Sequence, residues 1–200
     1  NDQVTLSGSG TNTVNTGSNN DAVNASAGNN NITTESGSDQ VTLSGGTNTV
    51  NTGSNGDTIN VSGGVNNITT ADGGDQVTLT GGTNTVDTGS SADTVTLSTG
   101  TDTVDTGSGN DTVEAGGTLT TADTIDGGAD TDTIASTVAM TDALAARLSN
   151  FEIFDIKGSG GVTNDVSALT GLTSLKVSAA LTGAVVVTDL AVGAEVDFSA

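Results

Sequence analysis

The sequence predicts an all-β fold: a parallel β-solenoid, or β-roll, of 18-residue coils (two nonapeptides), followed by a short helix and a looser β-helical segment. Three observations predict it. β-Branched residues recur every nine positions at Val14, Val23, Ile32, Val41, Val50, Ile59, Ile68, Val77, Val86, Val95, Val104 and Val113. Two places later, an aliphatic residue alternates with a threonine. Two places earlier, aspartate alternates with asparagine. A fixed short period of this kind is the signature of a stacked array.

The units read as strand plus turn. Thr, Val, Asn and Gly fill the frame, no 3.6-residue period runs through it, and these residues suit short strands and tight turns. One set of units carries Leu6, Ala25, Leu43, Val61, Leu79 and Leu97; the other carries Thr16, Thr34, Thr52, Thr70, Thr88 and Thr106. A strand alternates its faces, so each Val-x-Leu or Val-x-Thr pair points inward. Two sheets then face each other across a thin core. Val4 precedes Val14 by ten residues, Ile125 follows Val113 by twelve, and Ile134 returns to nine. Residues 39–74 recur from Asp75 to Asn110, a duplication of two coils.

Alternate units turn at opposite edges. One edge therefore stacks Asp2, Asp21, Asp39, Asp57, Asp75 and Asp93, and the other stacks Asn12, Asn30, Asn48, Asn66 and Asn84. Stacked amides donate and accept along their column. Stacked carboxylates cannot. With coils about 4.8 Å apart and an effective dielectric of about 20, neighbouring acids repel by roughly 3 kcal/mol. Either the acids take up protons or a cation sits between them. Calcium suits oxygen-only, glycine-rich turns with free backbone carbonyls. The turns that reach Asp are of this kind: Gly17-Ser18-Asn19, Gly53-Ser54-Asn55, Gly89-Ser90-Ser91 and Gly107-Ser108-Gly109. Those that reach Asn begin Leu43-Ser44, Val61-Ser62 or Leu79-Thr80, spending the first turn position on the core. Metal is expected on the Asp edge alone through the middle of the array.

Composition sets the function classes. The 200 residues include 29 Gly and no Pro, Cys, His, Trp or Tyr. There are 24 acids against three bases, Arg147, Lys157 and Lys176, and 18 of the acids precede Arg147. Such a surface disfavours nucleic acid and anionic membranes and favours cations. High charge with few aromatics also occurs in disordered chains; the strict period argues against that here. No disulfide framework is available, and no apolar run is long enough to span a bilayer. The chain opens in mid-repeat without a Met or signal peptide, as a piece of something longer would. Without His, Cys or Tyr most nucleophile and general-base arrangements are missing, so no enzyme is expected.

Two stretches, "TGSGNDTVE" (106–114) and "GGADTDTIA" (127–135), follow the form GGxGxDxUx, where U is large and apolar. They resemble the nonapeptide rolls of the RTX (repeat-in-toxin) proteins. The first lacks only the leading Gly, and the second has Asp130 for the third. Residues 1–100 keep the period and the acidic edge, so the resemblance extends over about residues 1–135. It implies a parallel β-roll, calcium at the turns and type I secretion. It implies as ligands the carboxylates of Asp111 and Asp132 and backbone oxygens of Gly107, Ser108, Gly127 and Ala129. Asp21, Asp39, Asp57, Asp75 and Asp93 extend that edge. Asp102 breaks the Asn column, Asp123 follows it in frame, and both join the candidate ligands together with Asp130.

Beyond Ile134 the pattern breaks. "TDALAARL" (141–148) reads as one short helix with Thr141 as N-cap, covering the open end of the roll. "NFEIFDIKGSG" gives a strand bearing Phe151, Ile153, Phe154 and Ile156. Further strands are expected at Leu172–Val177, Ala184–Thr188 and Glu195–Phe198. The expected division is a nonapeptide roll at 1–138 and a helix plus β-helix-like segment at 139–200. Roll, helix and "LSNFEIFDI" in that order resemble large bacterial RTX surface proteins, S-layer proteins among them.

The expected function is thus a structural, calcium-stabilised segment of a secreted surface-layer protein at the cell surface. Calcium, a lattice of its own copies or other surface proteins, and a cell-surface polysaccharide are the expected partners. Two alternatives remain. An adhesin or biofilm-matrix stalk would use the same physics as a spacer. An ice-binding solenoid would use the outward Thr13/Asn15, Asn31/Thr33, Thr49/Asn51 and Asn67/Thr69 pairs.

Overall fold

A computed structural model describes residues 1–158, 163–178 and 184–198. The regular array runs through β1 (Gln3–Leu6), β2 (Thr11–Asn15), β3 (Ala22–Ala25), β4 (Asn29–Thr33), β5 (Gln40–Leu43), β6 (Thr47–Asn51) and β7 (Thr58–Val61). It continues through β8 (Val65–Thr69), β9 (Gln76–Leu79), β10 (Thr83–Asp87), β11 (Thr94–Leu97), β12 (Thr101–Asp105) and β13 (Thr112–Gly116). Then come β14 (Thr124–Asp126), β15 (Thr133–Ser136), α1 (Asp142–Ala145), β16 (Leu148–Ser149) and β17 (Ile153–Ile156). The last elements are β18 (Thr163–Asp165), β19 (Ser174–Val177), β20 (Val186–Thr188) and β21 (Glu195–Asp197).

Odd strands from β1 to β21 form one parallel sheet of 11, and even strands from β2 to β16 form a second of eight. β18 and β20 pair separately. The molecule is an all-β parallel solenoid of about ten turns with 18-residue coils. Alternation within each strand explains the packing. Val41 and Leu43 of β5 are fully buried, whereas Gln40 is exposed. Thr34, Thr52, Thr70, Thr88 and Thr106 are also fully buried at the strand ends.

The odd spacings are absorbed outside the ladder. Gln3 pairs with Ala22, so the one extra residue of the first coil lies in the loop after β1. Thr112 pairs with Thr133, and the register shifts between Glu114 and Gly116. The added residues form a bulge and loop that send Leu119 into the core, while Ala115 keeps the inward place of Leu97.

The sheet of odd strands crosses position 138/139 without a break. α1 spans only Asp142–Ala145, with the Thr141 hydroxyl accepting from the Leu144 N–H at 3.4 Å. It is therefore shorter than 141–148, because Leu148 is drawn into β16 beside Ile125. Nor does α1 close the roll: β16 and β17 continue both sheets beyond it, and α1 is spliced into a coil with Met140 and Ala145 buried. Phe151 and Phe154, fully buried, fill that coil. β17, β19, β20 and β21 lie within or beside the expected strands, and β18 was not foreseen.

Candidate metal edge

The Asp turns stack as a backbone ladder. Isolated parallel bridges join Ser18, Ser36, Ser54, Asp72, Ser90, Ser108 and Ala129 in succession. Each of these turns has two left-handed positions. They are Gly53 and Asn55 in the third turn, Ala71 and Gly73 in the fourth, and Gly107 and Gly109 in the sixth. The frame requires this conformation, which glycine adopts freely and other residues adopt at a cost. Glu35 (φ +66°), Ala71 (φ +72°) and Asp130 (φ +88°) occupy such positions.

At the end of every turn an Asp side chain folds inward. Asp21, Asp39, Asp57, Asp75, Asp93, Asp111 and Asp132 are all buried. One carboxylate oxygen of each is satisfied by the coil before it. The Asp39 N–H donates to Asp57 Oδ1 at 2.8 Å, Asp57 N–H to Asp75 at 2.7 Å, Asp93 N–H to Asp111 at 2.7 Å and Asp111 N–H to Asp132 at 2.8 Å. The other oxygen, Oδ2, is buried in all seven and has no donor among the described residues. Such groups in a low dielectric are costly.

Protonation answers the same strain as a cation. Burial pushes the Asp57 carboxyl up to about 6 and the Asp93 carboxyl up to about 7, against the help of the Asp39 and Asp75 backbone N–H groups. Burial likewise takes Asp132 to about 6 and raises Asp111.

The opposite edge is closed on itself. Asn12 Nδ2 donates to Asn30 Oδ1, Asn30 to Asn48, Asn48 to Asn66 and Asn66 to Asn84, each at 2.7 Å. Second amide protons reach turn carbonyls, as from Asn48 to Gly45 at 3.1 Å. Asp102 and Asp123 lie on this edge and not in the acidic column. Asp102 Oδ1 accepts from Asn84, and Asp123 accepts from the Asp102 N–H and from Thr120. Burial raises the Asp102 carboxyl. Asp130 is exposed at a turn tip outside the column.

The four backbone oxygens singled out in the sequence are already engaged. Gly107 O accepts from Ala129 N–H and Ser108 O from Ser91 N–H, both at 2.8 Å. Gly127 O accepts from Thr106 Oγ1 at 2.8 Å, and Ala129 O from Gly109 N–H at 3.1 Å. A carbonyl has two lone pairs, so each keeps one for a cation.

Two features of the edge escaped the sequence reading. Glu152 extends the column, its Oε2 accepting from the Asp132 N–H at 2.9 Å. Its signal was the same frame with Phe154 in place of Val. The turn-opening threonines, read only as core, sit beside the acids; Thr16 and Thr52 hydroxyls are themselves buried without partners. Among the described residues no three acidic side chains converge. A cation here would meet one carboxylate per turn and complete its shell with carbonyls and water.

The RTX calcium-binding nonapeptide repeat (4 copies) family model matches residues 6–41, 78–113 and 120–136. The chain is an RTX β-roll protein. The match reaches well into the first hundred residues, where the glycine frame is thin but the coil geometry is the same. No curated protein and no solved structure matches. RTX repeats are calcium-binding motifs, so the ion of this roll is calcium. The residues fit it: hard carboxylate oxygens without donors, one per coil, each closing a turn of backbone carbonyls. Among the described residues no helix is long and apolar enough to cross a membrane.

Proposed function

We propose that this chain is a structural, calcium-hardened segment of a secreted surface-layer protein. The observation that carries the reading is the single file of seven buried, donor-free Asp Oδ2 atoms. Asp21, Asp39, Asp57, Asp75, Asp93, Asp111 and Asp132 would hold the ions, with the Gly107, Ser108, Gly127 and Ala129 carbonyls at the C-terminal turns. Calcium supplies the positive charge that the column lacks. Asp130 stands near enough to add to the field on Asp111 and Asp132. Asp102 and Asp123 would serve a second, smaller acidic site on the amide edge.

Outside the cell, where calcium is abundant, the roll is rigid; inside, where it is scarce, the chain stays unfolded and exportable. Residues 1–138 form the calcium roll, and 139–200 the wider segment that carries on the same sheet. Two of the chain's three bases serve that join: Lys157 Nζ meets Glu114 Oε1 at 2.5 Å, and Arg147 Nε donates to the Asp123 carbonyl at 2.9 Å. Nothing in this set performs chemistry on a substrate. Self-association or a surface polysaccharide would complete the layer.

Calorimetric titration tests the calcium role, and electron microscopy of the full-length protein in calcium tests the lattice. An ordered sheet of particles supports a surface layer. No heat of calcium uptake, with equal stability in chelator, refutes the reading.

A second reading, an adhesin or matrix stalk, is favoured by shape: 11 strands in file give a rod about 48 Å long. Particles that bind surfaces but never form sheets would select it. The ice-binding reading is weaker, because the outward column of Asn15, Thr33, Asn51 and Thr69 passes in register into Asp87, Asp105 and Asp126.

A further inference from the structure

Asn55 is followed by Gly56, and this is the one Asn-Gly pair in the chain. The pair lies at the tip of the turn between β6 and β7, just before Asp57 of the acidic column. Asn55 is exposed and holds φ at +80°. Among the described residues neither its carboxamide nor the Gly56 N–H has a hydrogen-bond partner. Other asparagines of these turns, Asn19 in the same position and Asn20 and Asn110 one place later, are tied down. Asn19 Nδ2 donates to the Ser18 carbonyl and precedes Asn20. Asn20 Oδ1 accepts from Ser38 N–H at 2.9 Å, and Asn110 Oδ1 from Thr131 N–H at 3.0 Å.

We propose that Asn55 is a self-modification site, at which the Gly56 backbone nitrogen displaces the Asn55 amide. A bond forms between Gly56 N and Asn55 Cγ. The Cγ–Nδ2 bond breaks, and ammonia leaves with the proton from Gly56. Water then opens the five-membered imide at either carbonyl, giving aspartate or isoaspartate. The net exchange is water in and ammonia out, with no enzyme or oxidant. Glycine favours the step twice: it has no side chain to hinder the attacking nitrogen, and its backbone is permissive.

The position gives the reaction a consequence. The aspartyl product adds a carboxylate on the metal edge, where Asp130 already stands in the C-terminal turn. The isoaspartyl product inserts one more backbone carbon between Ser54 and Asp57. That shifts Asp57 against the Asp39 N–H, now 2.8 Å from its Oδ1, and breaks the Ser54–Asp72 rung. Ageing at one turn would therefore loosen the centre of the calcium column.

The test incubates the folded, calcium-loaded chain at mildly alkaline pH. Asp-N endoprotease cutting before residue 55 reports the aspartyl product, and isoaspartyl methyltransferase labelling reports the other. Conversion at Asn55 is expected to exceed that at Asn19 or Asn20 on the order of tenfold. Asn55→Gln and Asn55→Gly should abolish both signals, the second at a position whose φ glycine accepts. The proposal fails if Asn55 in the folded chain stays intact while a synthetic peptide of residues 50–60 converts. It also fails if Asn19 and Asn20 convert as fast.

Discussion

Asp93 accepts the Asp75 N–H on Oδ1 at 2.8 Å while its Oδ2 is buried with no donor. One oxygen holds two coils together; the other waits for a charge. Asp93→Asn keeps the first role and removes the second. Its Oδ1 can still take the Asp75 N–H, and its amide replaces the donor-free oxygen beside Thr88. The variant should be more stable than the parent in chelator, by about 1–3 kcal/mol. It should gain less from calcium. Urea unfolding with and without the ion measures both. A variant weaker than the parent in chelator would contradict the account of this column.

Acid should substitute for calcium. In the metal-free fold the Asp57, Asp93 and Asp132 carboxyls stand at about 6, 7 and 6, against an ordinary 3.8. A carboxyl whose folded value is raised binds its proton more tightly in the fold. The stabilisation is fully present below the unfolded value and is lost as pH rises through the folded one. The metal-free roll should therefore strengthen by a few kcal/mol on going from about pH 7.5 to about pH 4. With saturating calcium the trend should flatten or reverse, because protons compete with the ion. Melting curves in chelator across this range read the effect, and a flat profile would contradict it.

The coil length, the two sheets and the two columns were legible in the sequence because each depends on one repeated choice. Val41 recurs as Ile59 and Val77, and Asn48 recurs as Asn66 and Asn84. A repeat writes its contacts along the chain. The wider segment does not repeat, so Phe154 taking the place of Val, and Glu152 that of Asp, became visible only in register. β18 was hidden for the same reason, since Thr163–Asp165 has no echo elsewhere. α1 was overlong because local helix propensity at Arg147–Leu148 yields to the Leu148 pairing with Ile125. The engaged turn carbonyls could not be read at all, since backbone bonds such as Ala129 N–H to Gly107 O carry no side-chain signal.

The amide ladder should respond to mutation without regard to calcium. Asn66 accepts from Asn48 and donates to Asn84, both at 2.7 Å, and it also reaches the Gly63 carbonyl at 3.1 Å. Asn66→Ala leaves Asn84 Oδ1 and the Gly63 carbonyl without this donor in a closed interior. The loss should be about 2–4 kcal/mol, equal with the ion and with chelator. Denaturant unfolding under both conditions separates this from the acidic edge, where the two values should differ. A calcium-dependent loss at Asn66 would mean that metal reaches the Asn column itself, beyond Asp102 and Asp123.

The turns carry strain that can be moved in either direction. Ala71, Gly89 and Gly107 occupy the same position in successive Asp turns, with φ of +72°, +93° and +86°. Alanine in this conformation costs about 1–2 kcal/mol, and glycine costs less there but more in the unfolded chain, by about 0.4–1 kcal/mol. Ala71→Gly should therefore stabilise the roll slightly, by about 0.5–1 kcal/mol. Gly107→Ala should do the reverse and more, because its Cβ would stand 2.1 Å from the Gly89 carbonyl oxygen. That neighbour is backbone within a stacked rung and can yield only by shifting the coil, at a cost of about 2–4 kcal/mol. Glu35→Gly is a poorer probe, since Glu35 Oε1 also accepts from Asn15 Nδ2 at 2.7 Å. Melting temperatures of the two clean variants in saturating calcium should move in opposite directions. If both fall, backbone strain at this position is not what sets turn stability, and the spacing of successive rungs would have to set it instead.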